Sequence, residues 1–159
     1  MAITIQSDAF GFNQPISPKY VGQGKCLSPP LQWSGIPKSA RQLVLVVEEE
    51  PGAANGELWV HWLIYNIPPN VKGLPEAVAA TERPAEPTNT AQGTNSWGKV
   101  GYGGSPPPPG EGTHHCHFRL YALALDPTLE PGLKRDALVA AISDHILAEG
   151  ELTGTYEGL

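Results

Sequence analysis

Three apolar runs set the terms for any fold this chain adopts: LVLVV at 43–47, WVHWLIYNI at 59–67 and FRLYALAL at 118–125. Each carries bulky residues in both alternating registers, so each reads as a strand buried on both faces. In the second, Trp59, His61, Leu63, Tyr65 and Ile67 share one face, and Val60, Trp62, Ile64 and Asn66 the other, which marks a central strand. The runs end abruptly at EEEPG, PPN and DP. The interval 48–58 is too short and turn-rich to hold the helix of a parallel crossover. Shorter alternating pairs, Ile3 with Ile5 and Leu31 with Trp33, add minor strands. The pattern predicts a mostly β domain of two packed sheets with peripheral helices, the 159 residues forming one domain.

Seventeen prolines and eighteen glycines, spread along the chain without a repeat, break up helices and favour shaped loops. One helix stands out late in the sequence. After Pro131 and Gly132, a stripe of Leu138, Ala141, Ile142 and Ile146, with His145 on the same face, recurs at helical spacing. Gly150 is its expected stop, with an extended tail over 151–156. A short helix is also expected within VAATERPAEP, ahead of Pro84.

The net charge is −6 and no basic run exists, which argues against electrostatic tracking of nucleic acid or an anionic membrane. A local cationic pocket for one anion stays open. Cys26 and Cys116 lie far apart and match no zinc spacing. The N-terminal MAITIQSDAFGF lacks the charged start and apolar core of a signal peptide, and no segment is long enough to span a bilayer. A cytoplasmic protein is the default expectation.

Chemistry concentrates in residues 93–125, GTNSWGKVGYGGSPPPPGEGTHHCHFRLYALAL. Loose glycine spacing allows close backbone approach to a ligand. Four prolines, Pro106 to Pro109, stiffen the loop that leads into the histidines. Strand alternation then places His114, Cys116, Phe118, Leu120 and Ala122 on an inward face, and His115, His117 and Arg119 on a solvated one. If one of these histidines meets a ligand, the pattern selects His114; equally, all three could be ordinary strand-edge residues. His61, taken alone, reads as a hydrogen-bonded core histidine.

Several ordered segments, SPPLQWSGIP, VHWLIYNIP, QGTNSWGKVGYGG, PPPG with GTH and RLYAL, and DHILAEGELTGTY, together resemble the phosphatidylethanolamine-binding protein family, also called Raf kinase inhibitor proteins. The likeness is to its compact prokaryotic-type branch and runs from about Ile16 to Tyr156. The resemblance implies a Greek-key sandwich of two antiparallel sheets with a C-terminal helix, and a small anion pocket at one end of the larger sheet. It implies a non-enzymatic binding protein for phosphate-type groups, such as phosphoethanolamine or phosphorylated side chains, with a protein kinase as a further partner, a homodimer as the assembly, and no metal or cofactor. Carried over by position, the pocket takes Trp59, His61, His114 and the loop residues Gly103, Gly104 and Pro106. Backbone N–H groups of Gly103 and Gly104 are expected to meet the anion. For His61 the resemblance replaces the core-histidine reading.

Two departures stand out. The family's aspartate–proline–aspartate–x–proline signature is EEEPG here, so the acid falls on Glu48, Glu49 or Glu50, with Glu49 favoured. The position two after the second histidine, commonly tyrosine, is Cys116. That residue opens two rival readings: a hydrolase with Cys116 as nucleophile and His114 or His61 as base, or a metal site from His61, His114, Cys116 and a glutamate.

Overall fold

The computed structural model describes residues 2–20, 27–49, 59–103 and 113–157. Nine strands and one α-helix form among them. In chain order the strands are β1 (Thr4–Gln6), β2 (Gln14–Pro15), β3 (Leu31–Ser34), β4 (Gln42–Glu49) and β5 (Trp59–Ile67). Then come β6 (Gly73–Leu74), β7 (Ala91–Gln92), β8 (Thr113–Leu123), the helix α1 (Arg135–Ile142) and β9 (Ile146–Glu157). The larger sheet runs β2-β9-β8-β4-β5-β7 and the smaller β1-β3-β6. Neighbours pair antiparallel except β2, which lies parallel to β9. The mainly β architecture, with two sheets and one late helix, is the one expected, and the strand order is compatible with a Greek-key path.

The three apolar runs are the middle of the larger sheet. Along β4, Leu43, Leu45 and Val47 enter a core shared with the small sheet, where they join Trp33 and Leu31 of β3, Ile5 of β1, and Phe118 and Leu120 of β8. Val44 and Val46 point the other way, into a second core closed by Leu138 and Ile142 of α1. Both faces of β4 are therefore covered, which is why its sequence shows no polar alternation. Each such side chain, fully removed from water, contributes about 1.5–3 kcal/mol.

Simple alternation fails along β5. Its register against β4 runs Leu45 to Ile64, Val46 to Leu63 and Val47 to Trp62, then jumps to Glu48 with Val60. His61 is the extra residue of a β-bulge. Beyond it, Trp62 and Ile64 fill the first core while Val60, Leu63 and Tyr65 fill the second. A second irregularity falls at Asn66, whose φ of 56° is left-handed. Its amide donates to the Leu129 carbonyl at 2.8 Å and accepts from the Leu129 N–H at 3.1 Å. The face expected to hold Trp59, His61, Leu63, Tyr65 and Ile67 together is thus divided.

Four further expectations are corrected. The helix stops at Ile142, and Ile146 opens β9 instead of extending the apolar stripe. β9 pairs with β8 along its length, from Thr113 with Glu157 to Leu123 with Ile146, and this ladder takes the residues a longer helix would use. Gly150 is not a helix stop. It sits within β9, where a Cβ would meet the Ile3 carbonyl oxygen at 2.1 Å as the N-terminal segment crosses. No helix forms over 78–87, which is bends and irregular chain. There the Gln92 side chain donates to the carbonyls of Ala79 and Thr81, at 2.7 and 2.8 Å, and Ala77 has a left-handed φ of 63°. On β8, Cys116, Phe118, Leu120 and Ala122 do face the first core and His115 is exposed, but His117, expected in solvent, is buried.

Candidate ligand-binding site

The end of β4 carries two adjacent glutamates that leave on opposite faces. Glu49 lies level with Trp59 on β5 and Cys116 on β8. Its carboxylate stands between two imidazoles. His114 Nδ1 is 3.1 Å from one oxygen, and His61 Nε2 is 3.8 Å from the other. The three side chains are nearly enclosed, at 12% exposure for Glu49, 10% for His114 and 1% for His61. A carboxylate so placed is stabilised by N–H donors and positive charge close by.

The bulge explains how His61 reaches this position, and the segment 93–103 explains how it is held. The Gly103 N–H donates to the His61 carbonyl at 2.8 Å. The His61 ring returns the bond, Nδ1 donating to the Gly103 carbonyl at 2.7 Å. Because that acceptor is a carbonyl, Nδ1 carries the proton, and Nε2 is left to face Glu49. The Gly103 N–H is thereby committed to the protein, which corrects its expected role as an anion donor. A Cβ at Gly103 would lie 2.6 Å from the Trp97 ring, so glycine is required for this approach.

Segment 93–103 is organised by a buried asparagine. Asn95 Nδ2 donates to the Gly101 carbonyl at 2.9 Å, and its Oδ1 accepts from the N–H groups of Trp97 and Lys99 at 3.0 and 3.2 Å. Ser96 ties the segment to β5: its N–H donates to the Val60 carbonyl at 3.0 Å, and its hydroxyl accepts the Val60 N–H at 2.8 Å. Trp97 is thereby set edge-on to two rings, 5.1 Å from Trp59 and 5.3 Å from His61. Tyr102 packs 5.6 Å from Trp62 and 6.5 Å from His61.

Of the residues expected from sequence, the structure brings together Glu49, Trp59, His61, Gly103, His114 and Cys116. Gly104, Pro106 and Glu50 lie outside the described residues. Cys116 is 1% exposed, and burial, together with the charges of Glu49 and Glu48, pushes its thiol well above the usual range. A thiolate is therefore disfavoured where a nucleophile would need one, which weighs against the hydrolase reading. Among the described residues, no group of three histidine, cysteine or carboxylate side chains is placed to hold a metal ion. Sequence reasoning missed Asn95, Trp97 and Tyr102. For Trp97 and Tyr102 the signal was available as aromatic residues set among closely spaced glycines in NSWGKVGYGG.

The chain is thus a two-sheet β protein with a buried polar cluster at one end of its larger sheet. This chain belongs to the phosphatidylethanolamine-binding protein family, whose sequence pattern it matches over residues 6–157. A UPF0098 protein of Pyrococcus abyssi is 40% identical over 151 residues, 95% of this chain and 83% of that protein. A UPF0098 protein of Chlamydia trachomatis is 38% identical over 156 residues, 96% of this chain and 97% of that one. Among solved structures, a phosphatidylethanolamine-binding protein homolog from Chlamydia trachomatis shares 37% identity and a TM-score of 0.84, with 99% of each chain covered. YbcL of E. coli, described as a new member of the mammalian family, shares 30% identity and a TM-score of 0.87, again with 99% of each covered. No helix among the described residues is long and apolar enough to cross a membrane.

Proposed function

We propose that this protein is a non-enzymatic binding protein whose site at the end of β4 takes phosphate or a phosphorylated ligand. The observation that carries the reading is one carboxylate shared by two histidines, His114 on one oxygen and His61 facing the other. With both rings protonated, the cluster holds two positive charges against one negative and favours an entering anion. With both neutral, Glu49 repels it. Protonation of the rings therefore strengthens binding. Trp59 and Trp97 form an aromatic wall beside the rings, Cys116 forms the apolar floor, and Gly104 and Pro106 complete the set taken from the family likeness. Glu49 is also placed to meet an ammonium group on the same ligand, as in a phosphoethanolamine head group. The same chemistry would accept a phosphorylated protein side chain, which is the route by which such a domain would regulate a kinase.

Calorimetric titration with inorganic phosphate and O-phosphorylethanolamine at pH 6 and pH 8 tests this. Tighter binding at pH 6 is expected, with a loss of tenfold or more in His61→Ala and in His114→Ala, since each charge-assisted hydrogen bond contributes about 1.5–3 kcal/mol. Glu49→Gln should weaken O-phosphorylethanolamine relative to phosphate if the ammonium contact exists. Unchanged affinity in both histidine variants would sink the proposal.

A further inference from the structure

Glu48, the neighbour of Glu49, turns to the other face of the sheet and is 2% exposed. Both of its oxygens are taken by arginines: Arg119 of β8 at 2.5 Å and Arg135, the first residue of α1, at 2.6 Å. Arg119 is shared with Glu151 of β9 at 2.6 Å. His117 of β8 lies directly across from Glu48, with its Nδ1 3.2 Å from Thr153 Oγ1 and 3.6 Å from Glu151. Val60 of β5 closes the row. This clamp grips β4 at the step where its register against β5 shifts and His61 is extruded. Two guanidiniums thus meet two carboxylates, Glu48 and Glu151, and the buried one is the immediate neighbour of Glu49.

We propose that Glu48, clamped by Arg119 and Arg135, is a positioning residue for the site on the opposite face. It fixes the end of β4 so that Glu49 stays between His61 and His114, and it balances guanidinium charge that would otherwise reach those two rings. Among the described residues, the groups facing the rings include Glu49 from β4, the Cys116 thiol from β8, and Trp97 and Tyr102 from the segment before Gly103. This role rests on the binding reading given above, but its primary test needs no ligand.

The test tracks the titration midpoints of His61 and His114 by NMR, without ligand, well below the melting temperature. Glu48→Gln leaves two guanidiniums with no carboxylate between them, so both midpoints should fall by about half a pH unit. Arg135→Ala removes a positive charge and should raise them, while Arg135→Lys should restore them nearly to the starting values. Asp144→Asn, an exposed acid at the far end of α1, serves as the control and should move neither. Opposite shifts from two destabilising substitutions are not produced by loosening of the fold alone. Midpoints that stay within 0.1 unit in Glu48→Gln and Arg135→Ala, or that move together, would overturn the proposal. Should Glu48→Gln fail to fold, the Arg135 pair decides the matter alone. Absence of phosphate binding by the native protein would defeat the binding reading and leave the midpoint test standing.

Discussion

Cys116 shows how much a single residue's chemistry depends on its surroundings. It is level with Glu49 on β4 and Gly154 on β9, and it packs in the first core with Phe118. Loss of its proton would place a second negative charge beside Glu49 in a medium with little water, which is why its thiol is held in the neutral form. We expect Cys116 to resist iodoacetamide at pH 8 in the native protein and to react fully in guanidinium, with peptide mapping to separate it from Cys26. Rapid native labelling of Cys116 would contradict the buried placement. In sequence, Cys116 looked like a pocket thiol because it shares a strand face with His114. That placement holds, but alternation carries no information about how deeply the face is covered. The family likeness favoured Glu49 among the three glutamates; alternation says only that Glu48 and Glu49 point apart, and the β4–β8 register sets which one lies level with Cys116.

At the scale of an element, segment 93–103 acts as a short strap along the outer edge of β5. Asn95 supplies its internal bonds, Ser96 and Gly103 its ties to the bulge, and Trp97 its contact with the site. Asn95→Ala strands two N–H groups that Asn95 Oδ1 now accepts, at a cost of about 1–3 kcal/mol for each one left unsatisfied. The expected result is a lower urea midpoint, a changed near-ultraviolet tryptophan signal and weaker phosphate binding. Gly103→Ala tests the strap from its other end. A methyl group there collides with the Trp97 ring, so the tryptophan signal should change and affinity fall about tenfold, the cost of one misplaced charged hydrogen bond. An unaltered tryptophan signal in Gly103→Ala would show that the ring is not seated on the glycine. From sequence the segment read as loosely spaced glycines that let backbone approach a ligand. Its glycines were visible, but the bulge that gives it something to grip was not, because one extra residue in a strand leaves the composition unchanged.

Across the whole molecule the larger sheet is a partition with a different task on each side. One side meets the small sheet and, at its end, carries the Glu49 cluster. The other meets α1 and carries the Glu48 clamp. Leu138, fully buried at the centre of the second core, holds the helix to the sheet. Leu138→Ala should cost about 2–5 kcal/mol through lost burial and the cavity left behind, read as a lower urea midpoint. Phosphate affinity measured well within the native baseline should stay within twofold, since no charge is altered. A large affinity loss there would mean that packing of α1, and not the Glu48 charge, governs the site.

The sequence by itself determined the mainly β architecture, the three central strands, the position of the late helix and most of the residues that meet at the site. The fold features are properties of hydrophobic period and residue type, which are written locally; the site residues other than His114 and Cys116 came from the family likeness. Tertiary structure alone decided the rest. The helix ends at Ile142 because the β8–β9 ladder claims the residues from Ile146 onward, and Gly150 is needed because the N-terminal segment crosses it. His61 reaches Glu49 through a bulge set by pairing with β4, and Glu48 is buried because two arginines distant in sequence converge on it. Each of these depends on contacts between residues far apart in the chain, whose free energy exceeds the local preference at the position concerned.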